Sequence, residues 1–332
     1  MPPSWPVMAD RYYQTASLDA AKLACLLFRC DHCFPVFAHG RGALDKHRIS
    51  GPGLTAEITA LGAELCSLKG ADGVERLWQA GPEWPRHAPL LFPIVGKVKD
   101  DRYHLNGQSY SLGQHGFARD SQFQWVEADE SHCRLRLEDS AESRAVYPFA
   151  FRFDVIYAIT GDRLEIAFEI TNRGETVLPT SAGAHPGFRW PLQEGIAREA
   201  HRLEFSHPEP HPIRRLGEGA LLDPQPFPCP VEGTRLDLRD DLFRISAMIF
   251  DQPVSSSVRY VAEGGPAIEV SWQGFPHLGI WTKLGADFIC IEPWHGMTSP
   301  AEFDGDFMDK PGLMLIPPGD CRRLVHSIRV VV

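Results

Sequence analysis

From Phe151 to Thr171 apolar and polar residues alternate with a period of two, and this alternation is the strongest constraint on the fold. Phe151, Phe153, Val155, Tyr157 and Ile159 share one face, and Arg152, Asp154 and Thr160 the other. After Gly161-Asp162 the pattern resumes, with Leu164, Ile166, Phe168 and Ile170 set against Arg163, Glu165, Glu169 and Thr171. Two such runs joined by a Gly-Asp pair predict a hairpin with one buried face. Further short strands are predicted at 54–59, 133–138, 257–262, 267–272, 278–282, 288–291 and 322–332. The 28 prolines and 29 glycines punctuate them with turns. Only residues 17–30 have a helical pattern. The chain is therefore expected to be all-β, a large antiparallel β-sandwich formed by one domain over residues 47–332. Residues 1–46 read as an N-terminal extension, partly helical or disordered.

Composition narrows the function. The 332 residues carry 33 Lys and Arg against 43 Asp and Glu, a net charge of −10, without a basic run. Nucleic acid and anionic membrane surfaces both call for a clustered basic face, so neither is an expected partner. A neutral small molecule fits better. No apolar run approaches the length of a membrane span, and the start lacks the features of a secretory signal. Eight cysteines are widely spread, with Cys66, Cys133 and Cys290 inside predicted strands, which points to free thiols and a cytoplasmic setting. Cys25, Cys30, His32 and Cys33 cluster, but no second ligand pair follows at zinc-site spacing. No P-loop or dinucleotide fingerprint is present. Neither metal nor cofactor is expected.

Three polar segments interrupt the strands: 115–120 (HGFARD), 181–188 (SAGAHPGF) and 290–296 (CIEPWHG). Each sets a titratable side chain among Gly, Pro and aromatic residues, where strand ends and tight turns meet a concave surface. Together His115, His185 and Glu292 supply a general acid, a general base and an orienting donor. For each a structural role competes: a turn cap for His115, a satisfied turn histidine for His185, a salt bridge for Glu292. His295 falls at an odd offset from Glu292 on an extended chain, hence on the opposite face.

These segments, with 89–97 (PLLFPIVGK), 106–110 (NGQSY), 275–281 (FPHLGIW) and 288–291 (FICI), resemble the aldose 1-epimerase (galactose mutarotase-like) superfamily, nearest its LacX-like branch. The resemblance runs in order from about Ile49 to the C-terminus. It implies a supersandwich fold and a cofactor-free exchange of α and β anomers of an aldose. Carried over residue by residue, it makes His185 the acid that protonates the ring oxygen and Glu292 the base at the anomeric hydroxyl. His115 becomes a second histidine at the ring oxygen or a neighbouring hydroxyl. Lys97 and Arg119 fall where basic side chains meet sugar hydroxyls. Trp294, read from its own chemistry, can stack on an apolar sugar face, although aromatics in β proteins mostly serve the core. Relatives commonly carry Asp where Ser246 stands, so hexose preference is the part of the resemblance this chain departs from.

The leading expectation is a mutarotase acting on a hexose or related sugar, as a monomer or homodimer. A hexose-6-phosphate 1-epimerase and a non-catalytic carbohydrate-binding or sugar-sensing protein are the alternatives. The first needs converging cations, for which Lys97, Lys99, Arg102 and Arg119 are candidates; the second would be expected to lose the acid or the base.

Overall fold

The computed structural model describes residues 46–332. The expected extension, its helical stretch and the cluster from Cys25 to Cys33 lie outside the described residues. Residues 151–171 form the predicted hairpin: Phe151–Thr160 pairs with Arg163–Asn172 and Thr160 stands opposite Arg163. That leaves Gly161-Asp162 as a two-residue turn, with Gly161 at φ 64°, a left-handed conformation that glycine adopts without steric cost. All nine apolar residues of the alternation are buried.

This hairpin is the middle of a nine-stranded antiparallel sheet. On one side follow His132–Glu138 and Gln124–Ala128. On the other come Cys321–Val331, Ala267–Gln273, Ser257–Ala262, His201–Phe205 and Arg235–Asp237. A six-stranded sheet faces it, in which Met248–Phe250, His277–Trp281, Phe288–His295, Ala182–Ala184 and Leu90–Leu91 lie in that order. Gly187–Arg189 also pairs with Phe288–His295. A third sheet of three strands, Lys46–Gly51, Leu54–Thr59 and Glu64–Gly70, completes the β-sandwich. One continuous apolar core joins the sheets, from Phe153, Leu164 and Phe168 across to Leu278, Ile289 and Ile291.

The predicted strand at 288–291 continues to His295, because Trp294 and His295 extend the ladder opposite His277 and Ala182. A helix that the sequence pattern did not announce occupies Ala141–Val146, closed by a capping box between Ser140 and Ser143. Among the described residues no helix is long and apolar enough to cross a membrane, and Cys66, Cys133, Cys229, Cys290 and Cys321 are free thiols.

The polar face of the hairpin is not simply solvated. Asp154 is fully shielded and holds Arg136 Nε at 2.7 Å, Arg134 Nη2 at 3.1 Å and Arg152 Nε at 3.1 Å. Burial opposes the carboxylate, but the arginine hydrogen bonds and charges outweigh it and hold its pKa down. Removing the carboxylate strands three half-buried guanidinium groups. Asp154→Ala is expected to cost about 3 kcal/mol, read as a lower urea midpoint with an unchanged slope. A midpoint within error of the wild type would refute this account.

Candidate active site

The site stands on the face of Phe288–His295 that looks away from the main core. Ile289 and Ile291 point into the core, while Cys290, Glu292 and Trp294, at steps of two, share the opposite face. Glycines on the neighbouring strands make room there. Gly279 lies opposite Glu292, Gly187 opposite Cys290 and Gly183 opposite Trp294. A Cβ on Gly279 or Gly183 would stand 2.5 or 2.6 Å from the Trp294 indole, and one on Gly187 would stand 2.6 Å from Trp84. The two indoles thus lie where side chains from the adjacent strands would otherwise be.

His185 sits in the break between Ala182–Ala184 and Gly187–Arg189. Pro186, which has no N–H, follows it, so the ladder is interrupted there and the imidazole swings onto the glycine-lined face. Its Nε2 lies 3.1 Å from Glu292 Oε2. The ring is enclosed by Trp84 at 5.0 Å, and by Trp281 and His115 edge-on, each at 5.7 Å between centroids. Phe288 stacks on Trp84 at 5.0 Å.

His115 is held by backbone geometry. It adopts φ 66° and is followed by Gly116 at φ 69°, where a Cβ would stand 2.3 Å from the Phe92 carbonyl oxygen. A left-handed histidine costs on the order of 1–2 kcal/mol, offset here by fixed bonds. The His115 N–H donates to the Gly96 carbonyl at 2.7 Å, and the Gly96 N–H donates to His115 Nδ1 at 3.1 Å. Because Nδ1 accepts, the ring proton of the neutral imidazole rides on Nε2, which faces the Gln114 side-chain amide at 3.3 Å.

Burial sets the charge state. Glu292 is 1% exposed, and loss of water pushes its pKa well above the ordinary carboxylate value, with partial relief from the Trp294 indole. Burial also drives His185 down to about 3, aided by the positive charges of Arg119 and Arg86. His115 falls well below 6.5 from burial, then from His185 beside it and the same two arginines. With the carboxyl raised and the imidazole lowered, both groups rest uncharged, Glu292 as the acid and His185 as the neutral imidazole.

The other residues named from sequence are placed differently. Lys97 is paired with Asp101 at 3.1 Å, and its backbone is tied to Thr298 and Ser299. Arg119 donates to the Gln114 carbonyl at 2.8 Å, and its buried Nε, which makes no hydrogen bond, lies 3.6 Å from Asp120 Oδ2. Its field reaches both histidines. Trp294 is 6% exposed and packs with Leu91, Val95 and Ile249, so it is a wall beside Glu292 with little free ring surface. Ser246 turns to local backbone: its hydroxyl accepts from the Leu216 N–H at 2.9 Å and donates to the Ala247 carbonyl at 3.3 Å. His295 points away, to the Gly274 carbonyl at 3.0 Å. Sequence reasoning passed over Trp84 and Arg86. Their signal was present, a Trp-Pro-Arg-His run directly before the motif that opens at Pro89.

Comparison with known proteins gives the class. The aldose 1-epimerase family profile matches residues 45–310, and the chain belongs to that family. It is 34% identical over 289 residues to the chromosomal protein LacX of Lactococcus lactis subsp. lactis, covering 84% of this chain and 97% of that protein. A galactose mutarotase related enzyme from Lactobacillus acidophilus superposes with a TM-score of 0.81 at 33% identity, covering 86% and 97% of the two chains. A galactose mutarotase-like protein from Lactobacillus casei gives 0.80 at 29% identity, covering 86% and 99%.

The cationic field around the histidines is directly testable. Arg86→Met is expected to raise the pKa of His185 and His115, both staying below 6.5 because burial is the larger cause in each. Histidine Cε1 resonances followed by NMR against pH would read it; an unchanged or lowered value contradicts the assignment.

Proposed function

We propose that the chain is an aldose 1-epimerase that interconverts the α and β anomers of a free hexose or close relative, with His185 and Glu292 as the proton-transfer pair. The single observation that carries this reading is the 3.1 Å approach of His185 Nε2 to Glu292 Oε2, both buried, beside the Trp84 and Trp281 rings. Ring opening needs one proton delivered to the ring oxygen while another leaves the anomeric hydroxyl. In the proposed cycle His185 is the donor to the ring oxygen and Glu292 the acceptor from the hydroxyl. Burial rests the proton on Glu292 in the free protein, and the short gap lets it pass to His185 when sugar hydroxyls come to face the carboxyl. The His115 Nε2–H donates to a sugar oxygen and fixes which way the ring lies. In the open form the aldehyde turns its other face, and closure returns both protons with the roles reversed. Arg119 and Arg86 are read as donors to hydroxyls at the rim.

Polarimetry of freshly dissolved α-D-glucose and α-D-galactose tests this. His185→Ala and Glu292→Gln are each expected to lower the enzymatic rate by roughly 10²–10⁴ with the fold intact by circular dichroism. Wild-type protein that fails to accelerate any aldose would sink the proposal. Glucose 6-phosphate belongs in the same assay, because Arg215 is buried with one bond, to the Ser246 carbonyl at 2.6 Å. Among the described residues no carboxylate is paired with it, which favours a substrate bearing an anionic group as the second reading.

The pH profile follows from the shared proton. A second proton goes on only near the depressed His185 value of about 3, and the sole proton leaves only above the raised Glu292 value. The rate is therefore expected to stay level from neutral pH down to about 5, where an ordinary histidine of pKa ~6.5 would already be charged. It should fall on the alkaline side. An acid limb centred near 6.5, after subtraction of the uncatalysed rate, rules out a buried pair of this kind.

A further inference from the structure

Cys290 has no part in the proposed proton transfers, yet it shares their face. His185, Cys290 and Glu292 are all buried, and one ligating atom from each lies within 4.8 Å of the other two. We infer that these three side chains form a binding site for a thiophilic divalent cation of the zinc class, and that the ion shuts the site down by occupying both proton-transfer groups. The inhibition rests on the proposed function; the binding does not.

The donor set decides which ion. One thiolate, one imidazole and one carboxylate suit borderline-soft metals, and a three-residue set with a fourth position left over is the pattern of an open zinc site. Magnesium and calcium want oxygen ligands throughout and are not competitors. Ligand atoms around tetrahedral zinc stand roughly 3.5 Å apart, given metal–ligand distances of about 2.0–2.3 Å. The cluster therefore has to close by only about 1 Å. Charge favours it as well: a divalent cation, a thiolate, a carboxylate and a neutral imidazole sum to zero, which is the cheapest state for an ion buried away from water. The register that creates the cluster is specific, since Cys290 and Glu292 are two apart on one strand and His185 enters from the break beside it.

The test uses the full chain with Cys25, Cys30 and Cys33 replaced by serine, so that thiols outside the described residues do not contribute. Cobalt(II), standing in for zinc, is titrated into chelator-treated protein. The expected result is a near-ultraviolet thiolate-to-cobalt band and intense visible bands of four-coordination, saturating at one equivalent, displaced by zinc and unaffected by magnesium. Cys290→Ser should remove the thiolate band and weaken binding by about 100-fold or more, and its epimerase rate should no longer respond to zinc. Bands that persist in Cys290→Ser, or no band in the parent, overturn the inference. Should Cys290→Ser and Cys290→Ala both misfold, zinc-edge anomalous diffraction from crystals of the parent reads the ligands directly, and an ion held by any other set also overturns it. A parent that binds cobalt with these bands but accelerates no sugar would leave the site standing and remove the proposed function.

Discussion

A carboxylate and an imidazole buried side by side are expensive to keep, and much of the surrounding architecture can be traced to that cost. Glu292 and His185 lie 3.1 Å apart with almost no exposure. Either charge alone would lose several kcal/mol of hydration in such a place. Sharing a single proton avoids this, because the neutral acid and the neutral imidazole carry no net charge. The neutral pair still requires space, enclosure and a fixed approach. Three glycines opposite one strand give the space, Trp84, Trp281 and Phe288 give the enclosure, and the break before Pro186 fixes the approach.

The strain in the site is concentrated where it can be held. His115 and Gly116 take left-handed conformations, and the bonds between His115 and Gly96, together with two N–H groups converging on the Phe92 carbonyl, keep them there. The segment 92–96 and the turn 114–118 thus form one unit, with His115 as its projecting donor. Rigid support of this kind is what the proposed proton transfer needs, since misplacement by a fraction of an ångström weakens a hydrogen bond steeply.

How much of this was legible in sequence depends on the range of the interaction. The hairpin at 151–171 could be read to the residue because alternation and a Gly-Asp turn are local signals. His115, His185 and Glu292 were singled out by chemistry and by the family motifs, but their meeting across separations of 70 and 107 positions is visible only in the fold. What could not be read was the pairing of side chains. Lys97 is neutralised by Asp101 through a turn in which Asp100 and Asp101 both take positive φ. The Ser246 hydroxyl is drawn to the Leu216 N–H, thirty residues away. Trp84 and Arg86 come from a stretch with no periodicity, so only the fold reveals that they flank a histidine a hundred positions later.

The proposed reaction places an unusual demand on its acid and base. Anomers differ little in energy, so opening and closure run in both directions, and each group has to serve as donor in one half and acceptor in the other. A strong acid beside a strong base would favour one direction of proton flow and stall in the reverse. Burial works against that asymmetry, because the same loss of water pushes the carboxyl up and the imidazole down until neither holds its charge readily. Arg119 and Arg86 lower the imidazole further, which keeps the resting proton on Glu292 instead of trapping it as imidazolium. On this argument the depth of the pair is a catalytic property, and the enclosure by tryptophans is what sustains it: more exposed, the same residues would ionise as an ordinary salt bridge and lose the ability to exchange roles.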